Sequence, residues 1–224
     1  MTPERLAKFQ RVLNHRQPDL TLIADQVNKP QNLSALIRTA DAVGMERIHA
    51  VAPKEGYRDY RGTARGSGQW VEVITHDDYS GAIDAARSQG MTIYAAHFSD
   101  RARDFREFDY TGPSAILMGA EMQGVSDAAG DLADHHILVP MVGMVGSLNV
   151  SVAAGIILSE VQRQRQLAGL YEQRRIDEQS YRDTLFRWCQ PQLADYCHRN
   201  GLAYPPLDEQ GELIDPAGWY RSVR

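Results

Sequence analysis

Two stretches near the middle of this 224-residue chain most constrain its fold: residues 115–126 (AILMGAEMQGVS) and 137–160 (ILVPMVGMVGSLNVSVAAGIILSE). Each is a short apolar run that breaks into a glycine-punctuated loop and then continues toward a helix. An uninterrupted apolar run is what a strand covered on both faces requires. Glycine in the loop that follows lets the backbone come close to a ligand, and open α/β sheets bind ligands at the carboxyl ends of their strands. Both breaks carry polar side chains, Glu121 in the first and Ser147 with Asn149 in the second. The chain is therefore expected to build a site from two adjacent loops of one parallel sheet.

The rest of the chain agrees with that architecture. Residues 3–16 predict an amphipathic helix, with Pro3 in the first turn and Leu6, Phe9 and Leu13 at helical spacing. Residues 20–27 predict a strand, and 32–43 a helix with Asn32 at its cap and Gly44 closing it. Strands follow at 47–53 and 70–75, separated by a Gly- and Arg-rich loop at 54–69. A helix capped by Asp77 ends near Gly90, and strands at 91–98, 113–118 and 137–141 complete the sheet. A short helix follows Ser126, and a long one runs from about Ser147 to Gly169. Alternating strands and helices at these spacings predict a mostly parallel sheet with helices on both faces. Beyond Gly169 the chain turns charged, then aromatic (Tyr181, Phe186, Trp188, Tyr196), then proline-interrupted. That tail is expected to be helical and to pack on the core or on a second subunit. The expected organisation is a helical extension at 1–18, an α/β domain at 19–169 and a helical tail at 170–224.

Composition excludes several classes. A 43% hydrophobic and 24% charged chain is ordinary for a globular protein, and no apolar run approaches the ~20 residues of a membrane span. The charged N-terminal segment predicts no signal peptide. Cys189 and Cys197, eight apart in the tail, predict two reduced thiols in a cytoplasmic protein rather than a disulfide or a zinc site. The net charge of −5 argues against a globally basic nucleic-acid binder, yet binding depends on local clusters. Four exist: Arg5, Lys8, Arg11, His15 and Arg16; Lys54, Arg58, Arg61 and Arg65; Arg101, Arg103 and Arg106; and Arg163, Arg165, Arg174 and Arg175. Each alone reads as a solvated face; together they favour a polyanionic partner. The first strand leads into Asn28-Lys29-Pro30-Gln31-Asn32 without a glycine, which argues against a nicotinamide dehydrogenase.

Arg38 stands beside the apolar stripe of its helix, where a guanidinium must find a carboxylate, phosphate or carbonyl; Glu121, at a buried strand end, is its expected partner. Gly143 and Gly146 predict a flexible turn. Gly155 sits mid-helix, where glycine costs about 1 kcal/mol relative to alanine and a close backbone approach would justify it.

Three ordered motifs now come together: Asn32-Leu-Ser-Ala-Leu-Ile-Arg38-Thr-Ala, Met118-Gly-Ala-Glu121-x-x-Gly124-Val, and Val139-Pro-Met-x-Gly-x-x-x-Ser147-Leu-Asn149-Val-Ser-Val-Ala. This pattern resembles the SpoU branch of the SPOUT methyltransferases. Arg16–Leu20, Asp109-Tyr110-Thr111 and Arg163-Gln-Arg165 add a resemblance to the branch that methylates the 2′-oxygen of guanosine 18 in tRNA. The likeness weakens after about Gly169. It implies an α/β fold with a C-terminal deep trefoil knot at about 115–165, a homodimer, and S-adenosylmethionine held in the knotted loops. It carries cofactor contacts to Ala96, Gly119, Val139 and Leu148, mostly through backbone. It places Arg38 against the reacting oxygen, with Asn32, Glu121, Ser147 and Asn149 orienting it. Arg5, Lys8, Arg11, Arg16, Arg163 and Arg165 are then expected to contact tRNA phosphates, with neither membrane nor metal involved. Ala96 and Gln31 stand where some relatives carry threonine and histidine, so no imidazole-dependent step is expected at position 31. An enzyme of the same branch acting on ribosomal RNA, or a non-catalytic RNA-binding scaffold, are the alternatives.

Overall fold

The computed structural model describes residues 1–52 and 69–223. The basic cluster Lys54, Arg58, Arg61 and Arg65, with most of the expected loop around it, lies outside the described residues. Two compact units emerge, one formed by residues 17–171 and the other by 1–16 with 172–224.

The larger unit is built on a sheet of strands β1 (Leu20–Asp25), β2 (Arg47–Val51), β3 (Glu72–His76), β4 (Thr92–Ala96), β5 (Arg103–Asp104), β6 (Ser114–Met118) and β7 (His135–Leu138). Their spatial order is β3-β2-β1-β6-β4-β7-β5, and every described pairing is parallel. β1 and β6 lie at the centre in the register Leu22 to Ile116 and Ala24 to Met118, and both are buried along their whole length. Alternation along the strands sends Leu22, Ala24, Ile116 and Met118 to one face, where α2 (Pro30–Ala42) and α5 (Val150–Leu167) cover them. Ile23, Ala115 and Leu117 go to the other, under α3 (Tyr79–Arg87) and α4 (Asp127–Asp131). This is the expected parallel α/β sheet.

The differences from expectation are local. α2 starts at Pro30 with Lys29 as its cap, so Asn32 lies inside the first turn rather than capping it. Proline suits N1 because its missing N–H would have no helical partner there. Asn149, not Ser147, caps α5, accepting from the Ser151 N–H, and Asp78, not Asp77, caps α3. Gly44 closes α2 with φ +85°, as the sequence predicted. β5 was not foreseen, since two charged residues leave no apolar signature. β7 starts at His135, ahead of the apolar run. A Cβ on Gly155 would meet nothing within 4 Å, so no close approach within this chain justifies that glycine.

Two arginines expected on the RNA face are instead structural. Arg165, in the last turn of α5, is fully buried. Its Nε donates to the Tyr110 carbonyl at 2.9 Å, Nη1 to Asp19 Oδ1 at 2.7 Å and Gln17 Oε1 at 3.1 Å, and Nη2 to the Gly112 carbonyl at 2.6 Å. A guanidinium saturated in this way offers no donor to a phosphate. Arg16 is 1% exposed and stacks over the Trp188 ring at 5.5 Å.

Arg16 and Trp188 belong to the smaller unit, in which the tail packs with the N-terminal helix. α1 (Pro3–Asn14) packs against α6 (Glu178–Cys189), with Phe9 edge-on to Trp188 at 5.5 Å. α7 (Pro191–Asn200) and α8 (Pro216–Ser222) follow, and Phe186 stacks on Tyr204 at 4.6 Å. The N-terminal ammonium meets Glu212 at 3.1 Å, so the two chain ends close one unit. Cys189 and Cys197 are free thiols.

Two outcomes follow for stability. Arg165→Met should lower the unfolding free energy by about 3–5 kcal/mol in chemical denaturation, because it strands the buried acceptors the guanidinium now satisfies. His49 on β2 is buried, with Nδ1 2.8 Å from His76 Nε2. Burial, then the charges of His76 and Arg47, push its imidazole down to about 4. An unfolded histidine binds its proton near 6.5, so stability should fall as pH drops from about 6.5 to 4, at up to about 1.4 kcal/mol per pH unit. His49→Gln should flatten that slope in urea titrations across the range.

Candidate active site

β4, β6 and β7 all end at the same edge of the sheet, and their continuations enclose a cleft of about 620 Å³. Residues 96–98 at the end of β4 and just beyond it, 119–127 after β6 and several of 137–148 around and after β7 supply most of its wall. The four residues to which cofactor contacts were assigned, Ala96, Gly119, Val139 and Leu148, all line it. Glu121 and Ser147 line it too, while Asn32, Asn149 and Arg38 do not. His97 and Phe98 also belong to the wall, and their place directly after Ala96 at a strand end is the one mark of it the sequence carries.

The loop after β6 owes its shape to two glycines. A Cβ on Gly119 would fall 2.0 Å from the Gly124 carbonyl carbon and the Val125 nitrogen. The chain therefore doubles back against bare backbone, closed by the Gly124 N–H on the Ala120 carbonyl at 2.8 Å. Gly124 adopts φ +68°, a region glycine enters without penalty. Glu121 rides on this turn.

Its carboxylate is the centre of a polar clasp, though not the one expected. Oε1 accepts from Asn32 Nδ2 at 2.7 Å and from the Lys29 N–H at 2.9 Å, and Oε2 accepts from the Asn28 N–H at 3.0 Å. Asn32 Oδ1 in turn accepts from Asn149 Nδ2 at 3.1 Å, and Asn149 Oδ1 accepts from the Ser151 N–H and hydroxyl at 2.9 and 2.6 Å. One carboxylate and two amides thus join the segment after β1, the turn after β6 and the start of α5. Burial raises the Glu121 carboxyl, but hydrogen bonds from Asn32, Lys29 and Asn28 outweigh it and leave it below the usual carboxylate range. Glu121 is held ionised.

Arg38 is not its partner. It is exposed on α2 and makes no hydrogen bond or ion pair among the described residues. The backbone amides at 28 and 29 hold the carboxylate instead, because α2 begins at Pro30, close beside it. Phe98 and Met122 in the wall and Val142, Met144 and Val145 in the segment after β7 are exposed, as are Val152 and Ile156, one turn apart on α5 beside Gly155. Among the described residues no cluster of His, Cys, Asp or Glu could hold a metal, and no helix is long and apolar enough to cross a membrane.

Comparison with known proteins agrees with this geometry. Residues 19–159 match the SpoU rRNA Methylase family and 163–216 match the SpoU rRNA methylase C-terminal family. The chain belongs to the SpoU methylase family. A tRNA (guanosine(18)-2′-O)-methyltransferase of Escherichia coli (strain K12) is 48% identical over 226 residues, spanning 100% of this chain and 99% of that one. The crystal structure of a TrmH/SpoU tRNA modifying enzyme from A. aeolicus superposes with a TM-score of 0.78 at 38% identity, covering 85% of this chain and 97% of that one. The SpoU methyltransferase AviRb from Streptomyces viridochromogenes, in complex with AdoMet, superposes with a TM-score of 0.57 at 26% identity over 69% of this chain and 62% of that one.

Glu121→Ala removes the acceptor of three donors at once. Amide hydrogen exchange at Asn28 and Lys29 should speed up at least tenfold, while exchange in β1 and β6 stays unchanged; unaltered protection at 28 and 29 would contradict the clasp.

Proposed function

We propose that this chain transfers a methyl group from S-adenosylmethionine to the ribose 2′-oxygen of guanosine 18 in tRNA. The observation that carries this is the clasp Glu121–Asn32–Asn149 at a cleft whose wall is built from three strand ends, in a chain similar along its whole length to an enzyme named for that reaction. The cleft suits the cofactor. Met118, Ile137, Val150 and Ile157 give it apolar faces for a purine and the methylenes of the methionine chain, and bare backbone at Gly119 and Gly146 supplies polar groups at short range. Ala96, Gly119, Val139 and Leu148 are the residues that would hold it.

When bound, the cofactor supplies a methyl on a positively charged sulfur, open to in-line displacement. The rest falls to the chain. A ribose hydroxyl is a weak acid: its oxygen becomes negative as its proton passes to an RNA phosphate or to water, and that charge would be spent in the new C–O bond as the C–S pair returns to sulfur. A guanidinium stabilises that charge without giving up its own proton. We assign this role to Arg38, whose side chain carries no internal ion pair. Glu121, Asn32, Ser147 and Asn149 orient the ribose and the reacting groups at the rim of the cleft.

Arg38 reaches such a cleft in a homodimer, where the α2 surface of one subunit faces the cleft of its partner. Exposed Val152, Ile156, Val142 and Val145 supply apolar area for such an interface, and the open space at Gly155 gives a partner helix room for close approach. The reading includes the trefoil knot at about 115–165 and a cytoplasmic enzyme. For tRNA, the exposed Arg5, Lys8 and Arg11 on α1 and Arg163 on α5 contact phosphates. Arg163 is now held bidentate by Glu160, at 2.8 and 2.7 Å, in an exposed pair that a phosphate can displace. Against a ribosomal RNA target stand the full-length relatives, which are named for tRNA, and a retired scaffold would not need an ionised carboxylate held by three donors.

Purified protein with labelled cofactor and unmodified tRNA should place the label on guanosine 18; label confined to another nucleotide, or to ribosomal RNA, would reject the assignment. Arg38→Ala should cut kcat by at least 10²-fold, with cofactor Kd within twofold by calorimetry. Arg11→Ala should raise the KM for tRNA and lower the slope of log KM against log salt by about 1.

A further inference from the structure

We propose that His136 is a positioning residue that sets the shape of the cofactor cleft from behind its wall. The proposal rests on the cleft being the S-adenosylmethionine site. His136 is the second residue of β7 and is 4% exposed, and its ring meets three segments at once. Nδ1 stands 2.6 Å from Ser99 Oγ in the segment after β4. Nε2 stands 2.9 Å from the Gly130 carbonyl oxygen of α4 and 2.9 Å from Nη2 of Arg101. The ring also packs edge-on against His97, with centroids 5.0 Å apart at 86°.

A neutral imidazole has one N–H and one lone pair, and this restricts what it can hold. With its proton on Nε2 it donates to Gly130 and accepts from the Ser99 hydroxyl. With the proton on Nδ1 it donates to Ser99 Oγ and accepts from Arg101. Gly130 and Arg101 therefore compete for Nε2, whereas the Ser99 hydroxyl, both donor and acceptor, serves either tautomer. The Ser99–His136 bond is the constant one.

None of these polar groups touches the cleft; their neighbours in sequence do. Residues 96–98 precede Ser99, residues 126–127 precede Gly130, and residues 137–139 follow His136, and all of them line the cleft. The wall has little slack, because a Cβ on Gly130 would lie 3.0 Å from the His97 ring. Tying the three segments to one buried ring fixes the width of the site before a ligand arrives, which lowers the ordering cost of binding.

Two variants of the full chain test this. His136→Phe keeps an aromatic ring, one atom larger, against His97 but removes both nitrogens; Ser99→Ala removes only the constant bond and adds no bulk. Titration calorimetry with S-adenosylmethionine should show at least tenfold weaker binding for His136→Phe and at least threefold for Ser99→Ala. In steady-state assays the KM for the cofactor should rise in step while the KM for tRNA stays within twofold. Wild-type affinity in both variants would overturn the proposal, and so would equal rises in both KM values, which mean general loosening. If circular dichroism shows that His136→Phe has not folded, Ser99→Ala decides alone. Failure of the wild-type chain to bind S-adenosylmethionine would instead reject the cofactor assignment on which the proposal stands.

Discussion

The buried guanidinium of Arg165 holds the larger unit in register, and much of the site depends on what it anchors. It binds residues 17 and 19 ahead of β1 and the carbonyls of residues 110 and 112 ahead of β6. Its neighbour Gln164 accepts from the Tyr110 N–H and donates to the Phe108 carbonyl, stapling the same stretch. The C-terminal end of α5 is thus tied to the two chain segments that feed the central strands. Its N-terminal end carries Asn149, bonded to Asn32 on α2. A helix pinned at both ends acts as a strut, and the entry to the cleft inherits its position from a charge at the far end.

That arrangement explains why the Glu121 clasp can be half exposed and still well defined. Exposed hydrogen bonds contribute little each, since water competes for every partner. Here the donors are already placed: two are backbone N–H groups just ahead of α2, and the third is Asn32 in its first turn. Ordering has largely been accomplished by the fold, so the carboxylate closes a site whose geometry is set elsewhere. Gly119 and Gly124 make this closure feasible by letting the turn lie flat against itself.

Surface charge shows a second consequence of tertiary structure. Among the described residues, two of the clusters that stand out in sequence are largely paired with carboxylates where they fold: Arg103 with Glu107, Arg106 with Asp104, Arg163 with Glu160 and Arg174 with Glu178. Arg163 draws the Glu160 carboxyl down to about 2, with Gln164 and Arg106 adding to the effect. Such surface pairs exchange readily for phosphates. The exposed Arg5, Lys8 and Arg11 on α1 form a less compensated surface.

Periodicity and glycine placement alone determined the class of fold, the strand ends that form the cleft and the turn that carries Glu121. Those features are local: an apolar run buried on both faces, or a loop that must double back, leaves its mark within ten residues. Hydrogen-bond partners do not. The same sequence left Arg38 and Glu121 as an apparent pair, and the family resemblance set Arg16 and Arg165 among phosphate ligands, because a sequence records a charge but not whether the fold buries it. His136 carried no signal, being one polar residue at the start of a short strand. Only the packing of segments far apart in sequence decided that Arg165 is buried, that Asn32 bridges two loops and that His136 stands behind the wall. Burial and pairing are properties of the contacts a residue makes across the fold, and those exist only once the chain has closed.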